Sequence, residues 1–391
     1  MPWERPFTVE AFVKITKISV VLPALNEADS VASTIKSVPV EELRRRGYET
    51  EVIVVDNASE DNTSQEAIKA GARVVYEPRR GYGRAYLTGF SEASGDIIVI
   101  GDADGTYDLT EIPKFIEEIA EGRADFVMGS RFKGRMEPGS MPWMHRYIGN
   151  PLLTGTLNYL FRTRISDTNC GMRAFSRGAL EKMNLSTTGM EFASEMLIEA
   201  AREGLCISEI PISYHPRTGG HAKLRSFKDG WRHMRFLALY EPTPFLFVPG
   251  AVLFLLGLSI VGSLLNDPTS RLHSFLFGGF MTVIGFQIVS MGLYMKAYAI
   301  THRLSEKKGF IGKLLEYHSL EMELLFGSAL FLIGAMIGLR VIWEWTYAGF
   351  GNLSDVGSAM VSLVLASLGL QIIFLALFLS VFLLNGNETK R

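Results

Sequence analysis

Asp102 and Asp104 stand two residues apart, directly after the apolar run Asp96–Gly101. Two carboxylates at that spacing can share one hard divalent cation. Mg2+ and Mn2+ prefer oxygen ligands and are commonly held by one or two carboxylates plus substrate phosphates. A triplet of this kind is frequent by chance, so its setting decides its weight. Acids follow two other apolar runs in the same way: Glu27 comes after Lys17–Leu22 and Pro23, and Asp56 closes Glu51–Val55. A further run, Ala72–Tyr76, leads into Glu77-Pro78-Arg79-Arg80-Gly81-Tyr82-Gly83. Helix N-capping accounts for Ser59 or Asp61. It does not account for acids at Glu27, Asp56 and Asp102, where the strands themselves end.

The runs that carry these residues alternate with helical stretches at Ala28–Val38, Asp61–Ala70, Gly81–Ala93 and Thr110–Glu121, and Asp125–Met128 adds one more strand. Short apolar strands alternating with helices predict an α/β domain with a parallel sheet covered on both faces. Ligands bind such sheets at the carboxyl ends of the strands. A dinucleotide site needs G-x-G-x-x-G after the first strand. Pro23-Ala24-Leu25-Asn26-Glu27 occupies that place, which excludes a nicotinamide dehydrogenase.

Composition narrows the class. The chain has 391 residues, with 39 Lys+Arg against 41 Asp+Glu, so net charge gives no reason to expect nucleic-acid binding. Hydrophobic residues make up 48%, and the excess is concentrated after about residue 243. This excludes a purely cytosolic enzyme and a disordered chain. The two cysteines cannot form a disulfide framework, and a reducing compartment is the simplest reading.

Four stretches are long and apolar enough to cross a bilayer: about 244–266, 274–300, 322–342 and 357–384. The N-terminus has no apolar signal-peptide core. Lys223, Arg225, Lys228, Arg232 and Arg235 precede the first span, Arg303, Lys307, Lys308 and Lys313 lie between the second and third, and the chain ends Lys390-Arg391. Lys/Arg-rich loops stay cytoplasmic. The expectation is a multi-pass protein of the cell membrane with the soluble domain and both termini in the cytoplasm. Lys296, near the cytosolic end of its span, is expected to snorkel to the headgroups.

The strand-end residues resemble glycosyltransferase family 2, within its polyprenyl-phosphate branch of dolichol-phosphate mannose and glucose synthases. The resemblance runs through Leu22–Glu27, Val54–Ser59, Gly81-Tyr82-Gly83-Arg84-Ala85, Asp102-Ala103-Asp104, Gly129-Ser130-Arg131-Phe132, Asp167–Phe175, and Arg217-Thr218-Gly219 followed by Lys223-Leu224. It covers about residues 17–240 in order. It implies a GT-A (Rossmann-like) nucleotide-sugar domain at 1–225, an interfacial amphipathic helix or linker at 226–243 and a four-helix transmembrane domain at 244–391. It also implies that Pro23, Asn26, Glu27 and Asp56 hold base and ribose, with Asp56 facing the base. Gly81, Gly83 and Asp102 complete the donor site, and Asp104, with Asp102, holds Mg2+ or Mn2+.

The implied reaction is inverting transfer of one hexose from a nucleotide sugar to dolichyl or another polyprenyl phosphate. Such a phosphate is already anionic near pH 7 and needs positive charge, not a base. Arg131, Arg173, Arg217 and Lys223 are the candidates, because guanidinium groups fit phosphate bidentately. A hydroxyl acceptor would instead require a base. Asp167 is best placed for that and Glu195 second, although holding Arg173 or a loop is the favoured role for both. Mannose synthases often follow the D-x-D with Leu-Gln. Here Gly105-Thr106 stands there, which tilts the donor toward a UDP-sugar, with UDP-glucose and GDP-mannose both open.

Two segments near the membrane boundary, Met141–Thr163 and Ser226–Tyr240, combine aromatics with cations and read as interfacial helices. In the second, Phe227, Trp231, Met234 and Ala238 form the expected apolar stripe. A processive polysaccharide synthase is the competing enzyme, but its Q-x-x-R-W motif is missing from Trp231-Arg232-His233-Met234-Arg235. A non-catalytic membrane scaffold is the third reading, disfavoured by the intact Asp102/Asp104 pair. The four spans are compatible with anchoring, homo-oligomer formation or help with lipid flipping.

Overall fold

The computed structural model describes residues 15–217, 226–302, 304, 310–316, 319–350 and 355–388. Lys223 lies outside the described residues, as do Arg225, Arg303, Lys307, Lys308, Lys390 and Arg391. The chain forms two compact units that divide between Met234 and Arg235. The division falls within the 226–243 segment, inside the helix Ser226–Tyr240.

In the first unit seven strands form one sheet: β1 Lys17–Ala24, β2 Glu49–Asp56, β3 Arg73–Tyr76, β4 Ile97–Ile100, β5 Phe126–Met136, β6 Arg173–Ser176 and β7 Ile207–Tyr214. Their order is β3-β2-β1-β4-β6-β5-β7. The helices are α1 Val31–Ser37, α2 Val40–Arg45, α3 Thr63–Lys69, α4 Tyr82–Glu92, α5 Ile112–Ala120, α6 Asn150–Phe161, α7 Arg177–Lys182 and α8 Phe192–Arg202. The expected β1–β4 and the helices between them stand within three residues of their sequence bounds.

The sheet is mixed: the five strands expected from the sequence share one direction, and the reversed strand, β6, is one the sequence pattern had not singled out. β6 pairs antiparallel with both β4 and β5, while β7 runs parallel to β5. The sequence pattern of a four-residue strand between two long loops carries no direction. The reversal matters for function. A strand running the other way delivers its preceding loop, residues 162–172, to the edge where the other strands deliver their following loops.

Both faces of the sheet are covered, so β4, Val20–Ala24 of β1 and Val52–Val55 of β2 are continuous apolar runs. On one face Ile18, Val20, Leu22, Val54, Ile97 and Val99 join Val31, Ile35, Phe115 and Ile116 of α1 and α5. On the other, Gly89 of α4 lies so close to β1 that a Cβ there would meet Val21 Cγ1 at 2.4 Å. Phe126, Phe175, Phe90, Phe192 and Tyr86 stack around it. Each such side chain, fully buried, contributes about 1.5–3 kcal/mol of hydrophobic stabilisation.

In α9, Ser226–Tyr240, the buried positions are His233, Phe236, Leu237 and Tyr240, at i, i+3, i+4 and i+7. Trp231 is exposed. The buried positions are therefore not those of the expected stripe, of which Trp231 is exposed and Met234 and Ala238 are half-buried.

The second unit holds four helices of membrane-spanning length and composition, Thr243–Leu264, Leu272–Thr301, Leu320–Tyr347 and Val356–Phe382. Their bounds match the sequence expectation within five residues. The first span contains α10, Val248–Leu264, and the second is α11, Leu272–Thr301. A short α12, Phe310–Glu316, precedes α13, Leu320–Tyr347, and α14, Val356–Glu388, holds the fourth span. Pairs α10/α11 and α13/α14 meet through small residues: a Cβ on Gly257 would lie 2.5 Å from Thr282 N, and one on Gly334 2.5 Å from Ala366 N. Such close backbone approach is how apolar helices associate without a hydrophobic driving force. Lys296 does not snorkel. It is 4% exposed and pairs with Glu241 at 2.7 Å.

Candidate active site

Because β1, β2, β3 and β4 are mutually parallel, their carboxyl ends share one edge. The loop after β1 turns sharply at Asn26, whose φ of 52° is left-handed, and Ala58 after β2 has φ 61°. Asn26 N–H donates to Ser59 Oγ at 3.0 Å, and Asn26 Oδ1 accepts from Glu60 N–H at 2.8 Å. These bonds lock the two loops together. Asp56 is buried; its Oδ1 accepts from Ser59 N–H at 2.9 Å and its Oδ2 from the Ser64 hydroxyl.

Asn57 bridges to the loop after β3. Its side chain donates to the Arg79 carbonyl at 2.8 Å and accepts from Gly81 N–H at 2.7 Å. Glu77 in that loop is held down to about 2 by the Arg79 guanidinium and N–H, then by the Thr88 hydroxyl. A carboxylate depressed in the fold stabilises it above the ordinary value of 4.5, and that stabilisation is lost as pH falls toward 2. Glu77→Gln is therefore expected to cost about 1–3 kcal/mol at pH 7 and progressively less on acidification below pH 4.5. Chemical denaturation at a series of pH values checks this; a pH-independent loss contradicts it.

Gly81 and Gly83 serve close packing. A Cβ on Gly83 would lie 2.3 Å from the Thr187 carbonyl oxygen and 2.8 Å from Phe192 Cβ, and one on Gly81 2.4 Å from the Thr188 oxygen. The N–H groups of Gly83 and Arg84, at the start of α4, donate to Gly189 and Thr188 carbonyls at 3.3 Å each. These donors serve the 187–189 loop. Gly83→Ala is expected to destabilise by about 1–3 kcal/mol through overpacking, read as a lowered thermal midpoint.

Asp102 and Asp104 follow β4. Tyr82 OH donates to Asp102 Oδ1 at 3.1 Å, and Gly171 approaches so closely that a Cβ there would lie 2.9 Å from Asp102 Oδ2. Burial first, and then the neighbouring Asp104 charge, push the Asp102 carboxyl up to about 7. Thr106 donates its N–H and hydroxyl to Asp104 Oδ1 at 3.1 and 2.7 Å. The Thr106 carbonyl accepts from His215 N–H at 2.9 Å, tying this turn to the end of β7. Among the described residues no cluster of three or more His, Cys, Asp or Glu could hold a metal alone. Two crowded carboxylates, one of them resisting ionisation, nevertheless fit a hard cation whose remaining ligands come from a diphosphate.

β7 runs in the same sense and ends on the same edge, where Arg217 reaches back. Its Nη2 pairs with Glu27 Oε1, and its Nη1 lies 3.3 Å from Asp104 Oδ2. The loop before β6 supplies Asp167, which is fully buried. Both its oxygens accept from Arg131, at 2.7 Å from Nε and 2.8 Å from Nη2, and Oδ2 also accepts from the Arg131 N–H. The Arg131 guanidinium lies 5.1 Å from the Tyr214 ring centroid. Glu209 fixes the loop from below, accepting from the N–H groups of Ser166 and Asp167 at 2.7 and 3.1 Å.

Arg173 is 1% exposed and donates to the carbonyls of Cys170, Ala193 and Thr168. It anchors the 168–170 loop to α8, and its buried guanidinium corrects the expectation of a phosphate contact. Glu195 likewise accepts from the N–H and hydroxyl groups of Ser186 and Thr187, as a loop anchor and not a base. Cys170 is buried, with its thiol raised to about 12, so neither its position nor its ionisation suits a nucleophile.

The family model described as glycosyl transferase family 2 matches residues 19–183. The model of the family 2 C-terminal transmembrane region matches 293–383. Over 369 residues the chain is 39% identical to the low-salt glycan biosynthesis hexosyltransferase Agl6 of Haloferax volcanii, covering 91% of this chain and 87% of that one. The chain belongs to glycosyltransferase family 2. It is thus a membrane-associated enzyme with a GT-A fold. A dolichyl-phosphate hexose transferase of the same organism is 33% identical, covering 54% of this chain and 89% of that one. A glucosyl-3-phosphoglycerate synthase from Mycobacterium tuberculosis, solved with Mn2+ and UDP, aligns at 27% identity with TM-score 0.47, over 60% of this chain and 85% of that one. A likeness that partial bears on neither ligand nor metal here.

Residue patterns missed Thr106, Tyr82 and Glu209. Thr106 had a legible signal. In Asp61-Asn62-Thr63, Asp104-Gly105-Thr106 and Asp108-Leu109-Thr110 the Thr N–H and hydroxyl both donate to the Asp Oδ1 two residues earlier.

Proposed function

We propose that this glycosyltransferase moves one hexose from a nucleotide sugar to dolichyl or another polyprenyl phosphate at the cytosolic face of the membrane, with inversion. The observation that carries the reading is the convergence of Asp102, Asp104 and the Arg217 guanidinium on one sheet edge, in a chain with four membrane-length helices. The acid pair suits a donor diphosphate with its cation, and the guanidinium suits a second phosphate. The positive-inside distribution of Lys and Arg supports placing the catalytic domain and both termini in the cytoplasm. The apolar face of Trp143, Met144, Tyr147, Ile148, Leu152 and Tyr159 is exposed, as contact with a lipid surface requires.

The base and ribose lie over Pro23, Asn26, Glu27 and Asp56, with the locked loops after β1 and β2 setting their orientation. Asp104 with Asp102 would hold Mg2+ or Mn2+, and the cation would supply Lewis-acid neutralisation of the leaving group. Arg131 and Arg217, with Lys223 of the same motif, hold the acceptor phosphate in line with the anomeric carbon. One phosphate oxygen forms the new bond to that carbon as the bond to the diphosphate breaks. The attacking oxygen is already ionised, so no proton need be removed. Arg173 positions the loop between the two phosphates.

Membranes containing the chain, given radiolabelled UDP-glucose, UDP-N-acetylglucosamine or GDP-mannose with a polyprenyl phosphate and Mn2+ or Mg2+, test this. The expected result is one sugar per lipid in the organic extract, abolished by EDTA, with a UDP-sugar the favoured donor. Growth of a long polymer would instead identify a processive synthase. Failure to label lipid with any donor overturns the proposed acceptor.

A further inference from the structure

Arg217 joins two carboxylates that come from the loops after β1 and β4. Glu27 is 6% exposed, with its N–H donating to Thr63 Oγ1 at 2.8 Å and its Oε2 3.3 Å from the Ser30 hydroxyl. It is therefore a fixed post for Arg217 Nη2. Asp104 is the second partner, and its two oxygens have different roles. Thr106 donates twice to Oδ1, whereas Arg217 Nη1 faces Oδ2 at 3.3 Å. Oδ2, whose partner is a positive charge, is thus the oxygen that a cation displacing Arg217 would take.

We propose that Arg217 and the divalent cation are alternative occupants of Asp104 Oδ2, so that donor binding releases Arg217 to receive the acceptor phosphate. The inference rests on the donor and metal reading above. Two positive centres on one carboxylate oxygen repel each other at close range, where the field is least screened. Before donor arrives, Arg217 neutralises Asp104 and Glu27, which would otherwise repel each other and Asp102. When Oδ2 is taken, Arg217 leaves Asp104 and turns about its Glu27 contact. Its guanidinium then turns from Asp104 toward a newly bound diphosphate. Acceptor binding therefore follows donor binding, and the acceptor pocket is incomplete until the donor is present. Such an order keeps a lipid phosphate from settling on Asp104's cation before there is sugar to receive.

The test uses the full chain in detergent and Mn2+ alone, with free Mn2+ read by electron paramagnetic resonance. Arg217→Gln removes the competitor and is expected to tighten Mn2+ binding by at least about tenfold. Arg217→Lys keeps the charge and is expected to stay within about threefold of the parent. A purely structural role for Arg217 would loosen Mn2+ binding in both. Unchanged or weaker binding in Arg217→Gln, with binding lost in Asp104→Asn, overturns the exchange and leaves the metal site standing. No Mn2+ binding by either the parent or Arg217→Gln overturns both. In a second arm, farnesyl phosphate is expected to bind the parent at least about fivefold tighter once Mn2+ and UDP or GDP are present, and Arg217→Gln to lose that coupling. Equal farnesyl phosphate affinity with and without them in the parent overturns the release.

Discussion

Asp104→Asn is expected to lower hexose transfer by about a thousandfold while leaving the thermal midpoint nearly unchanged. The Asn carbonyl can still accept from the Thr106 N–H and hydroxyl, which now bond Oδ1 at 3.1 and 2.7 Å, so the turn after β4 survives. The amide nitrogen then replaces Oδ2, the oxygen that faces Arg217 at 3.3 Å. A donor group at that position repels any cation and contributes nothing to a leaving diphosphate. Loss of several kcal/mol of leaving-group neutralisation corresponds to about two to four orders of magnitude in rate. Lipid-linked radiolabel measures the rate, and Mn2+ titration checks that the cation is lost. Asp104→Glu should recover little, because the added methylene moves the carboxylate off the Thr106 turn. Transfer by Asp104→Asn within about tenfold of the parent would remove Asp104 from the reaction.

The residues proposed to do chemistry were legible largely because they sit where a parallel sheet must present them. Glu27, Asp56, Asp102 and Asp104 all follow strands whose apolar pattern and Gly/Pro punctuation locate their ends within a residue or two. The four spans were legible for a similar reason, since bilayer thickness sets a length that few other apolar segments reach. Partnership was much harder to read. Asp167 meets Arg131 across 36 residues and Arg217 meets Glu27 across 190, and no local spacing announces either pair. The reversed β6 is the cause in the first case, because only its direction brings the Asp167 loop to the functional edge. Gly81 and Gly83 were ambiguous for a different reason. A glycine needed for close approach to another loop and a glycine needed for close approach to phosphate look the same in a sequence. In α9 the apolar positions cover more than one face, so the hydrophobic pattern did not tell which one is buried.

Asp167→Asn is expected to cost about 3–5 kcal/mol of stability and to cut transfer about a hundredfold, chiefly through weaker acceptor binding. Asp167 is fully buried, both its oxygens accept from Arg131, and its own N–H is held by Glu209 at 3.1 Å. An amide cannot accept on both sides, so one Arg131 donor would be left buried against another donor. The buried guanidinium would then carry uncompensated charge, the costly half of a broken ion pair. Arg131→Lys keeps the charge but loses the two-pronged fit and the stacking over Tyr214, so it should recover only part of the activity. The alternative role for Asp167, a general base, makes opposite predictions. Asp167→Asn would then lower kcat with little change in acceptor KM or stability, and would remove the acidic limb of the kcat–pH profile. The geometry favours the first outcome on chemical grounds as well. A carboxylate that must take a proton cannot also be the permanent counter-ion of an arginine, since each proton it accepted would break that pair. An acceptor that arrives already ionised makes no such demand, which leaves Asp167 free to hold Arg131 in place.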